Sequence, residues 1–355
     1  MVYVPQASFP VGSGGAETDA FFTYPDTTQP YIISSENAIP IAAVNGQLFY
    51  NHNSSTSGDG IGPIPAAFPK GYNAFYCMKY EITQDQYVAF LNSIDSAQLL
   101  GRISLMPTST HTFRNGISGT TAGNITALNP YLPCNYLDWV SLTAYLDWAA
   151  LRPMSELEYE KACRGTALAL RNEFAWGSDG LFNYDHVTQI VTTGNPYTLS
   201  NPFAKDEGIA TNYSSAGNAV WYATDPSSGV AAGSLRAGIF AGNAGNSGRV
   251  TAGASFYGIM EMSGNLTEQV VTVGDPDGRT FTGQHGDGIL RVAGDPNVPD
   301  WPYFNGTGFG LRGGSFEPTI PVKKLTVSDR SDAANHSFFF VSSPYAGGRG
   351  VRTAP

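Results

Sequence analysis

Tyr257-Gly-Ile-Met-Glu-Met-Ser-Gly-Asn-Leu-Thr-Glu268 is the stretch around which the rest of the chain falls into order. Gly264-Asn265 at its centre is turn chemistry, because glycine takes a positive φ without steric cost and an Asn side chain bonds nearby backbone. On either side, Tyr257–Met260 and Thr267–Val273 are apolar or β-branched and are predicted as short strands. Two carboxylates, Glu261 and Glu268, bracket the turn. Toward the C terminus, three further short strands are expected at Gly310–Phe316, Leu325–Asp329 and Gly350–Thr353. In the first of these, Arg312-Gly-Gly314 permits a backbone approach that any side chain would block.

Toward the N terminus the pattern turns helical. Thr83 and Gln86 form a capping box, and Tyr87, Phe90, Leu91 and Ile94 follow at helical spacing. A second helix is predicted from about Ser141, with Leu142, Tyr145, Leu146 and Ala149 on one face. A third runs from the capping box at Ser155 and Glu158 to about Cys163, and Pro153 separates the two. The Tyr and Trp side chains of Asn135–Trp148 are expected in the core. A strand over Phe75–Glu81 leads into the first helix, and Met1–Gly15 alternates around Val2, Val4, Phe9 and Val11 as an opening strand. The expectation is one domain over residues 1–355: a first strand (1–15), a loop-rich insertion (16–70), a helical half (71–177), long loops (178–255) and closing strands (256–355). Helices grouped in one half and short strands at both ends describe an α+β class, not alternating βαβ units.

Composition narrows the functional classes. Charged residues are 14% of the 355, and the net charge is −10. An acidic chain without Lys and Arg clusters lacks the means to grip a phosphate backbone, so nucleic acid is not expected as a partner. Aromatic residues at 12% argue against disorder. No uncharged apolar run is long enough for a transmembrane helix. Met1–Gly15 has neither a basic n-region nor an apolar h-region, so no secretory signal is read in it. Low charge with abundant Gly, Ser, Thr, Asn and aromatics nevertheless suits an extracellular or cell-surface protein. Cys77, Cys134 and Cys163 show no metal or dithiol spacing, and their disulfide state is open at this level.

Seven segments, in order over nearly the whole chain, resemble the formylglycine-generating enzyme (sulfatase-modifying factor) domain family. They are Val2-Tyr-Val-Pro with Phe9-Pro-Val-Gly12, and Lys79-Tyr-Glu-Ile-Thr-Gln84 with Tyr87–Phe90. Next come Asn135–Trp139 and Ala144–Trp148 with Arg152-Pro-Met-Ser-Glu-Leu-Glu-Tyr-Glu-Lys-Ala162, then Ala175-Trp-Gly177. The Tyr257–Glu268 stretch, Leu311-Arg-Gly-Gly-Ser-Phe316 and Gly348-Arg-Gly-Val-Arg352 complete the series. The resemblance implies a variant of the C-type-lectin fold, with short mixed sheets, two or three helices, long irregular loops, and both chain ends in one sheet.

The resemblance also implies where catalysis and metal sites would lie. Family enzymes hold copper with a cysteine pair after the Arg-Gly-Gly-Ser strand, but Leu311–Pro355 contains no cysteine. Sulfoxide-synthase relatives use a histidine-rich iron site, whereas His52, His111, His186, His285 and His336 are isolated. Neither copper nor iron is therefore expected, and the reading leans away from an enzyme. A structural Ca²⁺ is expected on the Glu261 carboxylate, the Gly264 and Leu266 carbonyls and the Glu268 carboxylate, the all-oxygen donor set that calcium requires. A second family calcium site would fall on Asn212 and the Tyr213 carbonyl, with Asp225 as its acidic partner. Asp275-Pro-Asp-Gly278 and His285-Gly-Asp-Gly288 lack alternating EF-hand ligands and are read as tight turns.

Ser328–Ala346 mixes small polar residues with three successive Phe before the last strand. Extended, Phe338–Phe340 would point to opposite faces and could not all be buried. A ligand or partner surface is expected at Asn335, His336, Phe338, Phe339, Phe340 and Tyr345. Where the family has Gly-Phe-Arg, this chain has Gly347-Gly348-Arg349, and one of the Phe residues is expected to fill the vacated space. The function expected is a non-catalytic, Ca-stabilised, extracellular or cell-surface lectin-like domain for adhesion or protein assembly, as a subunit of a larger surface structure. Its partners would be proteins, further copies of itself, or surface glycan. The alternatives are a receptor with a variable C-terminal surface and an oxidative formylglycine-type enzyme with unusual metal ligands.

Overall fold

In the computed structural model the described residues are 1–103, 112–183, 217–221, 233–242, 246, 248–302, 306–317, 319–339 and 341–355. The strands are β1 (Val2–Val4), β2 (Phe9–Val11), β3 (Phe22–Thr23), β4 (Tyr31–Ile33), β5 (Leu48–Phe49), β6 (Phe75–Cys77) and β7 (Ile117–Ser118). They continue as β8 (Thr126–Ala127), β9 (Leu181–Asn183), β10 (Gly217–Ala219), β11 (Glu268–Val271), β12 (Phe309–Arg312) and β13 (Val351–Thr353). The helices are α1 (Gln84–Ser93), α2 (Ser96–Ile103), α3 (Trp139–Trp148) and α4 (Glu156–Arg164). The class is α+β. Among the described residues no helix is long and apolar enough to cross a membrane.

Both chain ends meet on one strand. β1 and β13 flank β6, each antiparallel, with Val2 and Val351 both opposite Cys77. Among the described residues the other sheets have two strands each, so backbone pairing alone organises little of them. Packing around the helices supplies the rest. Between α1 and α3, Tyr87, Phe90, Tyr145 and Trp148 form a ring cluster with centroids 5.4–6.2 Å apart, and Trp139 stacks on Phe309 at 4.6 Å.

Every residue of α4 is buried, although five of its nine residues carry charge. Such a helix must bring its counter-ions with it. Arg312 donates to Glu156 (2.9 Å) and Glu160 (2.8 Å), and Arg330 donates Nε to Glu156 (2.8 Å). Arg164 pairs with Glu160 (3.0 Å) and with Glu173. Arg152 holds Glu158 through two bonds of 2.8 and 2.6 Å. Burial alone would raise the Glu156 carboxyl, but Arg330 and Arg312 outweigh it and hold it below the ordinary range. The same carboxylates collect loop amides: Gly12 N donates to Glu160 and Val273 N to Glu156 (both 2.8 Å). One helix thereby fixes β2, the end of β11 and the β12 strand.

Several expectations require correction. The opening strand breaks at Pro5, which has no N–H to give, and becomes β1 and β2 in different sheets. The 16–70 insertion contains β3, β4 and β5. The strand before α1 ends at Cys77, not Glu81. The helix expected at Ser141 starts at Trp139, capped by Asp138, whose side chain accepts from Ser141 N at 2.7 Å. Helix α2 was not expected; its start is fixed by Asp95, which accepts from Ala97 N and Gln98 N (2.8 and 2.9 Å). Tyr257–Met260 is a turn around Gly258 (φ +81°), and Leu325–Asp329 is a run of turns after Lys323, so neither is a strand.

Removing one partner from the α4 lattice should expose its cost. Arg312→Ala leaves Glu156 and Glu160 short of a buried counter-charge and should destabilise the protein by about 3–5 kcal/mol. Urea unfolding followed by Trp fluorescence checks this; a loss below about 1 kcal/mol would refute the counter-ion role.

Candidate functional site

The Glu261–Glu268 turn is built from three left-handed residues: Glu261 (φ +54°), Gly264 (φ +86°) and Asn265 (φ +66°). Gly264 is required there, since a Cβ would lie 2.6 Å from the Val220 carbonyl oxygen. Asn265 does hold the turn, but by tying it to distant segments. Its Oδ1 accepts from Leu235 N (2.9 Å), and its Nδ2 donates to Glu81 (2.7 Å) and the Leu235 carbonyl (3.3 Å). The other Glu81 oxygen accepts from Leu266 N at 2.9 Å.

A single guanidinium closes the turn against the last strand. Arg349 donates to Glu268 Oε1 at 2.5 Å, and its Nη2 also reaches the Glu261 carbonyl (3.4 Å). Its Nη1 donates to the carbonyls of Met78 (3.4 Å) and Lys79 (3.3 Å), next to β6. Glu261 Oε1 accepts from Gly238 N at 2.9 Å. Glu261 Oε2 and Glu268 Oε2 are buried and have no partner among the described residues.

Three buried carboxylates thus surround one guanidinium, with Arg236 adding a further positive field at Glu261. Burial, reinforced by Glu268, drives the Glu81 carboxyl well above the ordinary range. Burial also raises Glu268 against the pull of Arg349. Glu261 is pushed up to about 7, again by burial and against Arg349. Hard oxygen donors, two of them without a partner among the described residues, are the donor type that a hard divalent cation takes. Among the described residues no three His, Cys, Asp or Glu side chains come together where they could hold a metal ion. A cation here would therefore need the Gly264 and Leu266 carbonyls, as expected, with Glu268 offering only Oε2. Asn212, Tyr213 and Asp225, the expected second site, lie outside the described residues.

The C-terminal surface is only partly as expected. Segment 328–346 is not extended: it folds through successive turns, anchored where Trp139 N donates to the Phe338 carbonyl (2.8 Å) and Tyr136 N to that of Ser343 (3.0 Å). Asn335, Phe338 and Tyr345 together line a cleft of about 160 Å³. Tyr345 is braced by Phe316 (5.2 Å) and Phe113 (6.0 Å). His336 and Phe339 face elsewhere, each 6.2 Å from the Phe309 ring, and Phe340 lies outside the described residues. Among the described residues it is not a Phe but Leu266 and Leu142 that occupy the space at Gly347 and Gly348, at 2.6 and 2.8 Å from where a Cβ would stand. Besides Arg312 at its floor, the charged members of the cleft, Glu317, Lys324, Asp329 and Asp332, were missed. They are scattered through turns, and no spacing in the sequence marks them.

All three thiols are fully buried and free. Burial pushes the Cys77 thiol up to about 12, and it raises Cys134 and Cys163 further. His52 packs edge-on against Phe49 and Tyr50, and His285 Nε2 accepts from Thr353 N at 2.9 Å. His111 and His186 lie outside the described residues. Asp275 caps a four-residue helical turn, Pro276–Arg279, and Asp287 accepts from Ile289 N at 2.9 Å, so both loops are tight turns.

The model of the sulfatase-modifying factor enzyme 1-like domain matches residues 44–342 of this chain. The chain belongs to that family. Among solved structures it is similar to PvdO from Pseudomonas aeruginosa, at 16% identity over 99% of this chain and 93% of that one, with a TM-score of 0.40. It is also similar to Treponema denticola variable protein 1, at 12% identity over 100% of this chain and 95% of that one, with a TM-score of 0.37. No curated protein matches it. Within this sulfatase-modifying factor enzyme 1-like domain, the strand after Arg312-Gly-Gly-Ser315 leads to no thiol, and the existing thiols sit in the core.

The raised Glu261 carboxyl carries a pH signature. A carboxyl whose folded pKa exceeds its unfolded value stabilises the fold fully below about pH 4.5, and that contribution is lost as pH rises through about 7. In chelator, the wild type should therefore lose up to about 3 kcal/mol relative to Glu261→Gln between pH 5 and 8. Parallel stability curves for the two proteins would contradict the raised pKa.

Proposed function

We propose that this chain is a non-catalytic recognition domain acting at a cell surface or outside the cell, in adhesion or protein assembly. One observation carries the reading: every thiol of the chain is sealed in the core and held protonated by burial. A copper(I) centre of the formylglycine type needs exposed thiolates that oxygen and a substrate peptide can both reach. The C-terminal cleft is the contact surface in this reading, because it pairs half-buried aromatics with adaptable polar groups. Its small volume suits capture of a partner's side chain better than a broad lectin-like platform.

Calcium is the second part of the proposal. The Glu261 and Glu268 carboxylates and the Gly264 and Leu266 carbonyls would hold it, and it would supply positive charge to a carboxylate cluster that Arg349 alone does not neutralise.

Incubated with copper and a cysteine-containing peptide, the protein should consume no oxygen beyond the copper-only control and form no aldehyde on the peptide. Aldehyde detected by mass spectrometry would end the non-catalytic reading. Calcium should raise the melting temperature and EDTA lower it again, with the difference abolished in a Glu261→Gln, Glu268→Gln double variant. Identical melting curves for the wild type in calcium and in EDTA would remove the calcium.

A further inference from the structure

The cleft carries more charge than its own pairs use. Lys324 pairs with Asp332 at the rim, where their side chains are 27% and 21% exposed. Arg312, at the floor, is committed to Glu156 and Glu160. Two lining carboxylates are left without a cationic partner among these: Glu317 and Asp329. Among the described residues Glu317 accepts from Thr319 Oγ1 (2.6 Å), within its own turn. Asp329 is 4% exposed; its Oδ1 accepts from Ser331 N and Oγ, and its buried Oδ2 has no partner among the described residues. A buried carboxylate oxygen without a donor is a standing electrostatic debit that a ligand can relieve.

The walls favour the same chemistry. Phe338 and Tyr345 bring half-buried rings to the cleft, and the field of Glu317 reaches the Tyr345 hydroxyl, which burial first and Glu317 second hold above the ordinary range. Carboxylates beside π-faces select cations, since both attract positive charge. At about 160 Å³ the cleft is well below the roughly 300–1,000 Å³ of pockets that enclose whole small molecules, and it suits one side chain. We propose that this cleft receives the cationic end of an arginine or lysine side chain presented by a protein partner. The assignment rests on the recognition reading above and names what that surface recognises.

Calorimetric titration with a (Gly-Arg)4 peptide and a matched (Gly-Gln)4 peptide tests it. The wild type should bind the arginine peptide and not the glutamine one, with affinity falling as salt rises. Asp329→Asn and Glu317→Gln, which keep side-chain shape, should each weaken binding at least about fivefold. Asp85→Asn, which removes one exposed charge on α1 far from this segment in sequence, should leave binding unchanged. Equal affinity for both peptides, or equal losses in Asp85→Asn and Asp329→Asn, would overturn the assignment. Either result would leave the non-catalytic reading intact, because that stands on the thiols. If Asp329→Asn fails to fold, the Glu317→Gln comparison decides alone.

Discussion

Glu156 and Glu160 sit on a helix with no solvent-facing side; Glu156 is shared by the remote Arg312 and Arg330, and Glu160 by Arg312 and by Arg164 one turn along the same helix. With sheets of only two or three strands, a chain this long needs another source of order. The buried ion pairs provide it through geometry more than through net stability. A hydrophobic replacement of such a lattice is often no less stable, but an ion pair tolerates only one register between the elements that carry it. Arg312 on β12, Arg330 in the following turns and Gly12 beyond β2 all converge on α4.

Arg349 plays the corresponding part at the other end. It joins the last strand to the Glu261–Glu268 turn and to the backbone beyond β6, and leaves one oxygen on each of Glu261 and Glu268 unsatisfied. The turn is therefore held as a shape by Arg349, Asn265 and Glu81, while its electrostatics remain open to a cation. This separates the two roles that the sequence resemblance merges, a rigid turn and a metal ligand set.

The parts of the fold legible in the sequence are those with local chemistry. The capping boxes at Thr83 and Ser155 place α1 and α4 because the cap residues bond within four positions of themselves. The closing strands β11, β12 and β13 were legible through the family segments, although their pairing is long-range. What was missed is partly local and partly dependent on partners distant in sequence. The Asp95 cap lacks the Ser or Thr of the expected pattern, and Pro5 redirects the first strand into two sheets. The cleft is the clearest case: Glu317, Asp329 and Asp332 come together through turns whose course is set by Arg312 and Arg330 reaching into the core. Of the expected contact residues, Asn335, Phe338 and Tyr345 reach the cleft, while His336 and Phe339 are diverted by the Phe309 ring.

The functional account turns on accessibility of sulfur. In the proposed reading, a domain of this family whose thiols are all interior would act on other molecules through its loops and clefts. Titration of the native protein with a thiol-reactive disulfide reagent addresses that point directly, before and after unfolding in guanidinium chloride. The account predicts that Cys77, Cys134 and Cys163 stay unreactive in the native state and all three react once unfolded. A thiol that reacts in the native protein as fast as free cysteine, at neutral pH, would contradict it.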